Sequence, residues 1–269
     1  MGKYDGYLLL SDMDGTLLSP DGTISKGNRR AIADFVEGGG LFSVATGRTH
    51  YSAWTRVHDL PINCPAIVYN GGGIYDFQKK EFLQSRCFRR GEVEGCLLDV
   101  MRLFPDISTI VFETDRIAVL SGGEWVDELP VEEQPHFVKT EISDLSDDVF
   151  KLIFISTEAR VTELRMYLHS HPMADTSVMM LAAGTCLELL PKGVSKGKAL
   201  EWLFNYLGIP VEKTIAIGDY ENDIEMLRVA GIAAAPENAH PDILAIADLV
   251  VSNHDDDAVA DLIRKVFGY

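Results

Sequence analysis

Two aspartates separated by one residue follow a short apolar segment near the start of the chain. Residues 7–10 have the composition of a buried strand, and Asp12 and Asp14 come directly after it. Carboxylates so placed can both project beyond a sheet edge toward one point. They repel each other unless a cation lies between them or one holds a proton, and Mg²⁺, which prefers oxygen ligands, meets that need. The alternative is a turn in which both aspartates accept hydrogen bonds from local amides.

A second acidic group follows a predicted strand at residues 214–217, late in the chain. Asp219 comes directly after Gly218, and Asp223 lies near the start of a predicted helix. Because Gly218 leaves room for a close approach, Asp219 is a candidate metal ligand. Asp223 has two interpretations: it is either a site residue or an acidic group that stabilises the first turn of the helix.

Cationic and hydroxyl groups lie at the ends of two further predicted elements. Thr46, Gly47 and Arg48 follow a predicted strand at 41–45 and offer a hydroxyl, a backbone amide and a guanidinium group. Lys196 lies in the first turn of a predicted helix, where its charge opposes the helix dipole. Since the amides at a helix start favour an anion, we predict that Lys196 serves an anionic ligand; a solvated position is the alternative.

The elements that must position these residues follow a regular order. Short apolar strands alternate with amphipathic helices, which predicts an α/β fold with a parallel sheet. In such a sheet ligands collect beyond the carboxyl ends of the strands, where the polar residues above lie. The middle of the chain has an α+β pattern with a hairpin instead. We therefore predict a discontinuous core at residues 1–83 and 189–269 and an inserted domain at 84–188.

Composition and charge exclude several classes of partner. The 269 residues include 24 Lys and Arg against 41 Asp and Glu, which gives a formal net charge of −17. That charge repels nucleic acid and anionic lipid, and no apolar run is long enough to span a bilayer. The four cysteines lack paired spacing and the first residues lack a signal-peptide core. We therefore predict reduced thiols and a cytoplasmic location.

Taken together, these motifs resemble those of the haloacid dehalogenase (HAD) superfamily of hydrolases, and within it the Cof-type phosphatases with a type IIB cap. The resemblance implies a Rossmann-like core with a parallel sheet and an inserted α+β cap that selects the substrate. The chain departs from the common family pattern at residues 235–239 and 257–259. The resemblance covers the whole chain and rests on the segments 12–17, 46–48, 70–71, 193–197 and 218–223.

The resemblance also implies a role for each candidate residue. Asp12 would be the nucleophile and Asp14 the general acid/base. Mg²⁺ would be held by the carboxylates of Asp12 and Asp219 and by the backbone carbonyl of Asp14. Asp223 would orient Lys196 or a metal-bound water. The residues that would bind phosphoryl oxygens or substrate are Thr46, Gly47, Arg48, Lys196 and Asn222.

The predicted function is Mg²⁺-dependent hydrolysis of small phosphorylated metabolites, with sugar phosphates as the expected class, through an aspartyl phosphate. One alternative is a phosphomutase or a dedicated sucrose- or mannosyl-type phosphatase on the same core. Another is a non-catalytic regulator that binds a phosphorylated metabolite. The presence of Asp14 argues against the regulator, since binding alone has no use for a general acid. The expected partner is a small phosphorylated metabolite, bound by a monomer or a homodimer.

Overall fold

The computed structural model describes residues 2–122, 125, 131–182 and 184–268. The chain divides into two compact units. The core unit comprises Met1–Gln84 and Ser195–Tyr269, and the inserted unit comprises Ser85–Val194. The inserted unit extends past residue 188, the boundary expected from the sequence, because the strand Cys186–Pro191 pairs with two other strands of that unit.

The first part of the core unit alternates strands with helices. Side chains cap the first two helices of the chain at their N-terminal ends: Ser25 Oγ accepts a hydrogen bond from Asn28 N, and Thr49 Oγ1 accepts one from Ser52 N. In chain order the elements are β1 (Leu8–Ser11), α1 (Lys26–Glu37), β2 (Leu41–Val44), α2 (His50–Val57), β3 (Ala66–Val68), β4 (Gly73–Asp76) and β5 (Glu81–Ser85).

The inserted unit contains a sheet in the order β10-β11-β9-β6-β7-β8, in which only the β7–β8 pair is parallel. Buried apolar side chains of α3 and α4, among them Leu97 and Leu164, pack in one cluster with side chains of the strands, such as Leu152. Burial of this helix face holds the helices on the sheet. The elements are α3 (Arg90–Leu103), β6 (Ser108–Glu113), β7 (Ile117–Ser121), β8 (Phe137–Lys139), β9 (Val149–Ile155), α4 (Glu158–His169), α5 (Met173–Thr176), β10 (Ser177–Ala182) and β11 (Cys186–Pro191).

The chain then returns to the core unit with a second run of alternating elements. A 3₁₀ turn at Glu221–Asp223 precedes the helix that the sequence predicts to start near Asp223. The elements are α6 (Lys196–Leu207), β12 (Thr214–Ile217), α7 (Ile224–Val229), β13 (Ile232–Pro236), α8 (Pro241–Leu244), β14 (Leu249–Val251) and α9 (Ala258–Phe267). Among the described residues, no helix is both long enough and apolar enough to cross a membrane.

The main sheet of the core unit has the order β14-β13-β12-β1-β2, and all of its pairs are parallel. Strand β1 lies between β12 and β2 and is buried at every residue, as a strand covered on both faces must be. Its last residue, Ser11, lies beside Ile217 of β12 and Val44 of β2. The three strands therefore end at one level, and the residues that follow them emerge at the same sheet edge. The predicted α/β class with a parallel sheet and an α+β insertion is confirmed.

Strand β3 does not join that sheet as a sixth full strand. It is linked to the residue after β2 by a single bridge, Ala45–Ile67, and otherwise pairs antiparallel with β4 in the sheet β3-β4-β5. The cause lies in the turn at Tyr69–Gly71, which reverses the chain directly after β3. Tyr69 and Asn70 both have positive φ there, and the returning β4 takes the hydrogen bonds of β3.

Candidate active site

The ends of β1, β2 and β12 bring together the residues that the sequence singles out. Asp12 follows β1, and its backbone N donates to the carbonyl of Ile217 at the end of β12. Thr46 follows β2 by two residues, and Asp219 follows β12 by two. Asp12 and Thr46 are buried, with 5% and 1% of their surface exposed. The parallel register thus gathers side chains that lie far apart in the sequence.

A buried ammonium group compensates two of the acidic side chains. Lys196 Nζ lies 2.5 Å from Asp12 Oδ1 and 2.7 Å from Asp223 Oδ1, and the lysine has no exposed surface. Burial by itself lowers the pKa of an ammonium group, but the two carboxylates outweigh it and hold the pKa of Lys196 above its usual value. Lys196 is therefore a fixed cation of the site and not a solvated surface lysine.

Asp223 uses its two carboxylate oxygens for different purposes. Oδ1 accepts from Lys196, and Oδ2 accepts from the backbone N of Asp219 (3.1 Å) and of Tyr220 (3.3 Å). A Cβ on Gly218 would lie 2.3 Å from Asp223 Cγ, so glycine is needed there to admit this carboxylate. Both interpretations of Asp223 are thus compatible: it stabilises the turn, and it holds Lys196 in place.

Three carboxylates lie close enough together to hold a metal ion. Three carboxylate oxygens, one from each of Asp12, Asp219 and Asp223, all lie within 4.8 Å of one another. Such spacing suits oxygen ligands on a divalent cation, whose metal–oxygen distances are about 2.0–2.6 Å. Burial, followed by the neighbouring aspartates, raises the pKa of Asp12 against the pull of Lys196. Burial and Asp223 likewise raise the pKa of Asp219, so a cation that lowers this cost fits the donor set.

The carboxylate of Asp14 turns to a different partner. Arg48 holds it with two hydrogen bonds, from Nε to Oδ2 at 2.8 Å and from Nη2 to Oδ1 at 2.6 Å. A third guanidinium contact, from Nη1 to Ser52 Oγ at 3.3 Å, anchors Arg48 to the first turns of α2. In this structure Arg48 orients Asp14, whose side chain is 57% exposed. A contact of Arg48 with the substrate stays a prediction. The expected contribution of Asp14 to metal binding is its backbone carbonyl, which stays a prediction.

The loop between Asp14 and Thr16 depends on Gly15. Its φ is +79°, and a Cβ there would lie 2.3 Å from Asp219 Oδ2. Thr16 Oγ1 donates to Asp219 Oδ1 at 3.0 Å, which ties the loop to the second acidic group. Asn238 Nδ2 donates to the Gly15 carbonyl at 2.8 Å, although the sequence marked that segment only as a departure from the family pattern. No local signal in the sequence pairs residues 15 and 238.

The remaining candidates meet at the Asn70 turn. Asn222 Nδ2 donates to Asn70 Oδ1 at 3.1 Å, and Thr46 Oγ1 accepts from Arg48 N at 3.2 Å. A Cβ on Gly47 would lie 2.9 Å from Asn70 Oδ1. The sequence gives Asn70 no role beyond its place in a motif, and the Asn-Gly pair after a strand is its only local signal. The arrangement offers a carboxylate nucleophile, a fixed ammonium group, hydroxyl and amide donors and a place for a divalent cation.

Comparison with protein families adds independent information. A family model described as haloacid dehalogenase-like hydrolase matches residues 9–263. The 5-amino-6-(5-phospho-D-ribitylamino)uracil phosphatase YitU of Bacillus subtilis is 25% identical over 97% of this chain and 97% of its own length. The chloroplastic endoribonuclease YBEY of Arabidopsis thaliana is 31% identical over 96% of this chain. The chain spans 46% of the length of that second protein.

Solved structures agree with the family match. A haloacid dehalogenase-like hydrolase from Bacteroides thetaiotaomicron superposes with a TM-score of 0.89 at 25% identity, covering 97% of this chain and 99% of that one. A sugar phosphatase of HAD subclass IIB superposes with a TM-score of 0.81 at 25% identity, again over 97% and 99% of the two chains. These matches confirm the resemblance drawn from the sequence motifs.

Proposed function

The chain belongs to the haloacid dehalogenase-like hydrolase family, and we propose that it is a Mg²⁺-dependent phosphatase that hydrolyses small phosphorylated metabolites through an aspartyl phosphate. The observation that carries the proposal is the convergence of Asp12, Asp219 and Asp223 within 4.8 Å, with the buried ammonium group of Lys196 at Asp12. A purely structural site has no need for so many buried charges, since desolvation makes each of them costly.

The first step is nucleophilic. The Asp12 carboxylate attacks phosphorus in line, the bond between phosphorus and the ester oxygen breaks, and the leaving alcohol takes a proton from Asp14. Lys196 Nζ lies at Asp12 and balances negative charge on the phosphoryl oxygens. Asp12 and Asp219 would hold Mg²⁺, which supplies a further positive charge for those oxygens when bound.

The second step restores the enzyme. Water attacks phosphorus, Asp14 takes one of its protons, and the bond between phosphorus and the Asp12 oxygen breaks to release inorganic phosphate. The ion pair with Arg48 fixes where the Asp14 carboxylate lies before substrate arrives. For the first step Asp14 must carry a proton, so we infer that the carboxyl group turns from Arg48 toward the leaving oxygen when substrate binds.

The same proposal covers the substrate and its surroundings. The relatives named above include a 5-amino-6-(5-phospho-D-ribitylamino)uracil phosphatase and a sugar phosphatase. This supports sugar phosphates as the substrate class. We infer that the inserted unit selects among them and that the protein works in the cytoplasm as a monomer or a homodimer.

A phosphate-release assay tests the proposal. Purified protein with Mg²⁺ is expected to release phosphate from p-nitrophenyl phosphate and from members of a sugar phosphate panel, and EDTA should stop the reaction. The variant Asp12→Asn has nearly the same shape but lacks the nucleophile, so it should keep its fold by circular dichroism and lose turnover. Full activity of this variant would refute the role of Asp12. Inertness of the wild type toward a broad metabolite panel would favour the non-catalytic regulator.

A further inference from the structure

Two consecutive residues other than glycine adopt the left-handed backbone conformation directly after β3. Tyr69 has φ +52° and Asn70 has φ +55°. This conformation is unfavourable for a residue with a Cβ, and asparagine tolerates it better than most. Both residues are buried, Tyr69 completely and Asn70 with 7% exposed. Such conformations persist only where the surroundings hold them, and they concentrate at functional sites.

Asn70 connects its own turn to loops from two other parts of the chain. Its backbone N donates to the carbonyl of Thr46 at 2.9 Å, and its Oδ1 accepts from Asn222 Nδ2 at 3.1 Å. Gly47 packs against the same side chain so closely that a Cβ there would lie 2.9 Å from Oδ1 and 3.0 Å from Nδ2. The loops after β2 and after β12 are thus held at fixed positions by one asparagine.

The next residue fixes the turn against a third segment. Gly71 has φ +96°, and a Cβ on it would lie 2.2 Å from the carbonyl oxygen of Ser195, directly before Lys196. The turn therefore packs against the start of α6 without room for any side chain. With Asn70 in the left-handed conformation, its backbone N donates to the carbonyl of Thr46 while Gly71 packs against Ser195.

We propose that Asn70 is a positioning residue of the phosphate pocket, which sets the orientation of the Asn222 amide and the place of the Thr46 main chain. The inference rests on the proposed function and extends it to a residue that does not itself touch the phosphoryl group. With one N–H of Asn222 bound to Asn70, the other N–H is held in a single orientation. Residues that orient ligand-binding groups in this way commonly change activity about 10- to 100-fold when they are removed.

The test compares two left-handed positions of the core unit. Asn70→Gly removes the side chain while glycine accepts the backbone conformation without cost. Lys80→Gly is the matched control, since Lys80 also has a left-handed φ, +57°, but lies exposed in the turn between β4 and β5. We expect Asn70→Gly to lower kcat/KM for p-nitrophenyl phosphate about 10- to 100-fold while its circular dichroism spectrum stays that of the wild type. The control should stay within about twofold of the wild type.

A double-mutant cycle separates positioning from simple structural support. In the Asn70→Gly background, Asn222→Ala should cost far less than it costs in the wild type, because the amide is already misplaced. Asn70→Asp keeps the left-handed preference and the accepting oxygen, so there Asn222→Ala should cost the same factor as in the wild type. The Asp background carries the test even where the Gly variant does not fold.

Three outcomes overturn the inference. The first is an Asn70→Gly variant as active as Lys80→Gly. The second is an Asn222→Ala penalty in the Asn70→Gly background equal to that in the wild type. The third is an Asn222→Ala penalty that vanishes in Asn70→Asp. A wild type without turnover refutes the proposed function together with this inference, whereas an active wild type with any of the three outcomes refutes the inference alone.

Discussion

Replacement of Lys196 by methionine removes a cation that contacts both Asp12 and Asp223 while it keeps a side chain of similar length. The lysine has no exposed surface, and its Nζ lies 2.5 and 2.7 Å from the two carboxylates. At an effective dielectric constant of about 20, unit charges about 4 Å apart interact by about 4 kcal/mol. The variant loses two such attractions and keeps the repulsion among three carboxylates within 4.8 Å.

We expect this change to lower the free energy of unfolding by about 3–5 kcal/mol, the usual cost of removing one partner of a buried ion pair. In a chain of this size that corresponds to a fall in the thermal midpoint of roughly 6–20 °C. Added Mg²⁺ should raise the midpoint more in Lys196→Met than in the wild type, because the metal then compensates carboxylates that have lost the ammonium group. Phosphatase activity should fall by at least about a hundredfold.

Lys198→Met is the matched control, because Lys198 lies in the same first turn of α6 but is exposed. The assay is thermal unfolding followed by circular dichroism, with EDTA and with Mg²⁺, for both variants and the wild type. The control should change the free energy of unfolding by less than about 0.5 kcal/mol. If Lys196→Met were as stable as Lys198→Met in EDTA, the account of Lys196 as the compensating cation of a buried acidic site would be refuted.

Other positions give further predictions. Gly15→Ala should lower both the thermal midpoint and the affinity for Mg²⁺, measured by calorimetry, because φ is +79° and the new Cβ would lie 2.3 Å from Asp219 Oδ2. Unchanged Mg²⁺ binding would contradict this contact. Burial alone would raise the pKa of Asp261, but hydrogen bonds from Lys265, from the amide of Ser252 and from Arg264 lower it to about 2. A carboxyl group whose pKa is lowered by folding stabilises the native state at every pH above its pKa in the unfolded chain. Asp261→Asn should therefore lower the free energy of unfolding, measured in urea, by about 2 kcal/mol near pH 6. This loss should become smaller as the pH falls from about 5 toward 3. A cost that is independent of pH would refute the ionic role of Asp261.

The sequence predicts the sheet edge well because the signal there is local. An apolar run that stops at a polar residue marks the end of a strand, and this pattern places Asp12, Thr46 and Asp219 correctly after β1, β2 and β12. Parallel pairing then requires these ends to lie side by side. The predicted family and the α/β class are confirmed for the same reason, since both depend on motifs at strand ends.

Features that depend on contacts between distant residues could not be predicted. Nothing near Arg48 in the sequence indicates that it binds Asp14, since a guanidinium group can pair with any of the many carboxylates in the chain. Likewise Asn238 reaches the Gly15 carbonyl across 223 residues of sequence. The departure of β3 into its own sheet depends on left-handed residues at Tyr69 and Asn70, a conformation that residue types alone do not specify.

The central claim is that acidic side chains from both ends of the chain share one Mg²⁺ ion while Asp12 carries the phosphoryl group. A crystal structure of the protein with Mg²⁺ and beryllium fluoride, which mimics a phosphoryl group on a carboxylate, tests it directly. The account predicts the fluoride complex on a carboxylate oxygen of Asp12 and Mg²⁺ bound by Asp12 and Asp219, with Lys196 beside the fluorides. An ion held without Asp219, or a fluoride complex on any residue other than Asp12, would contradict it.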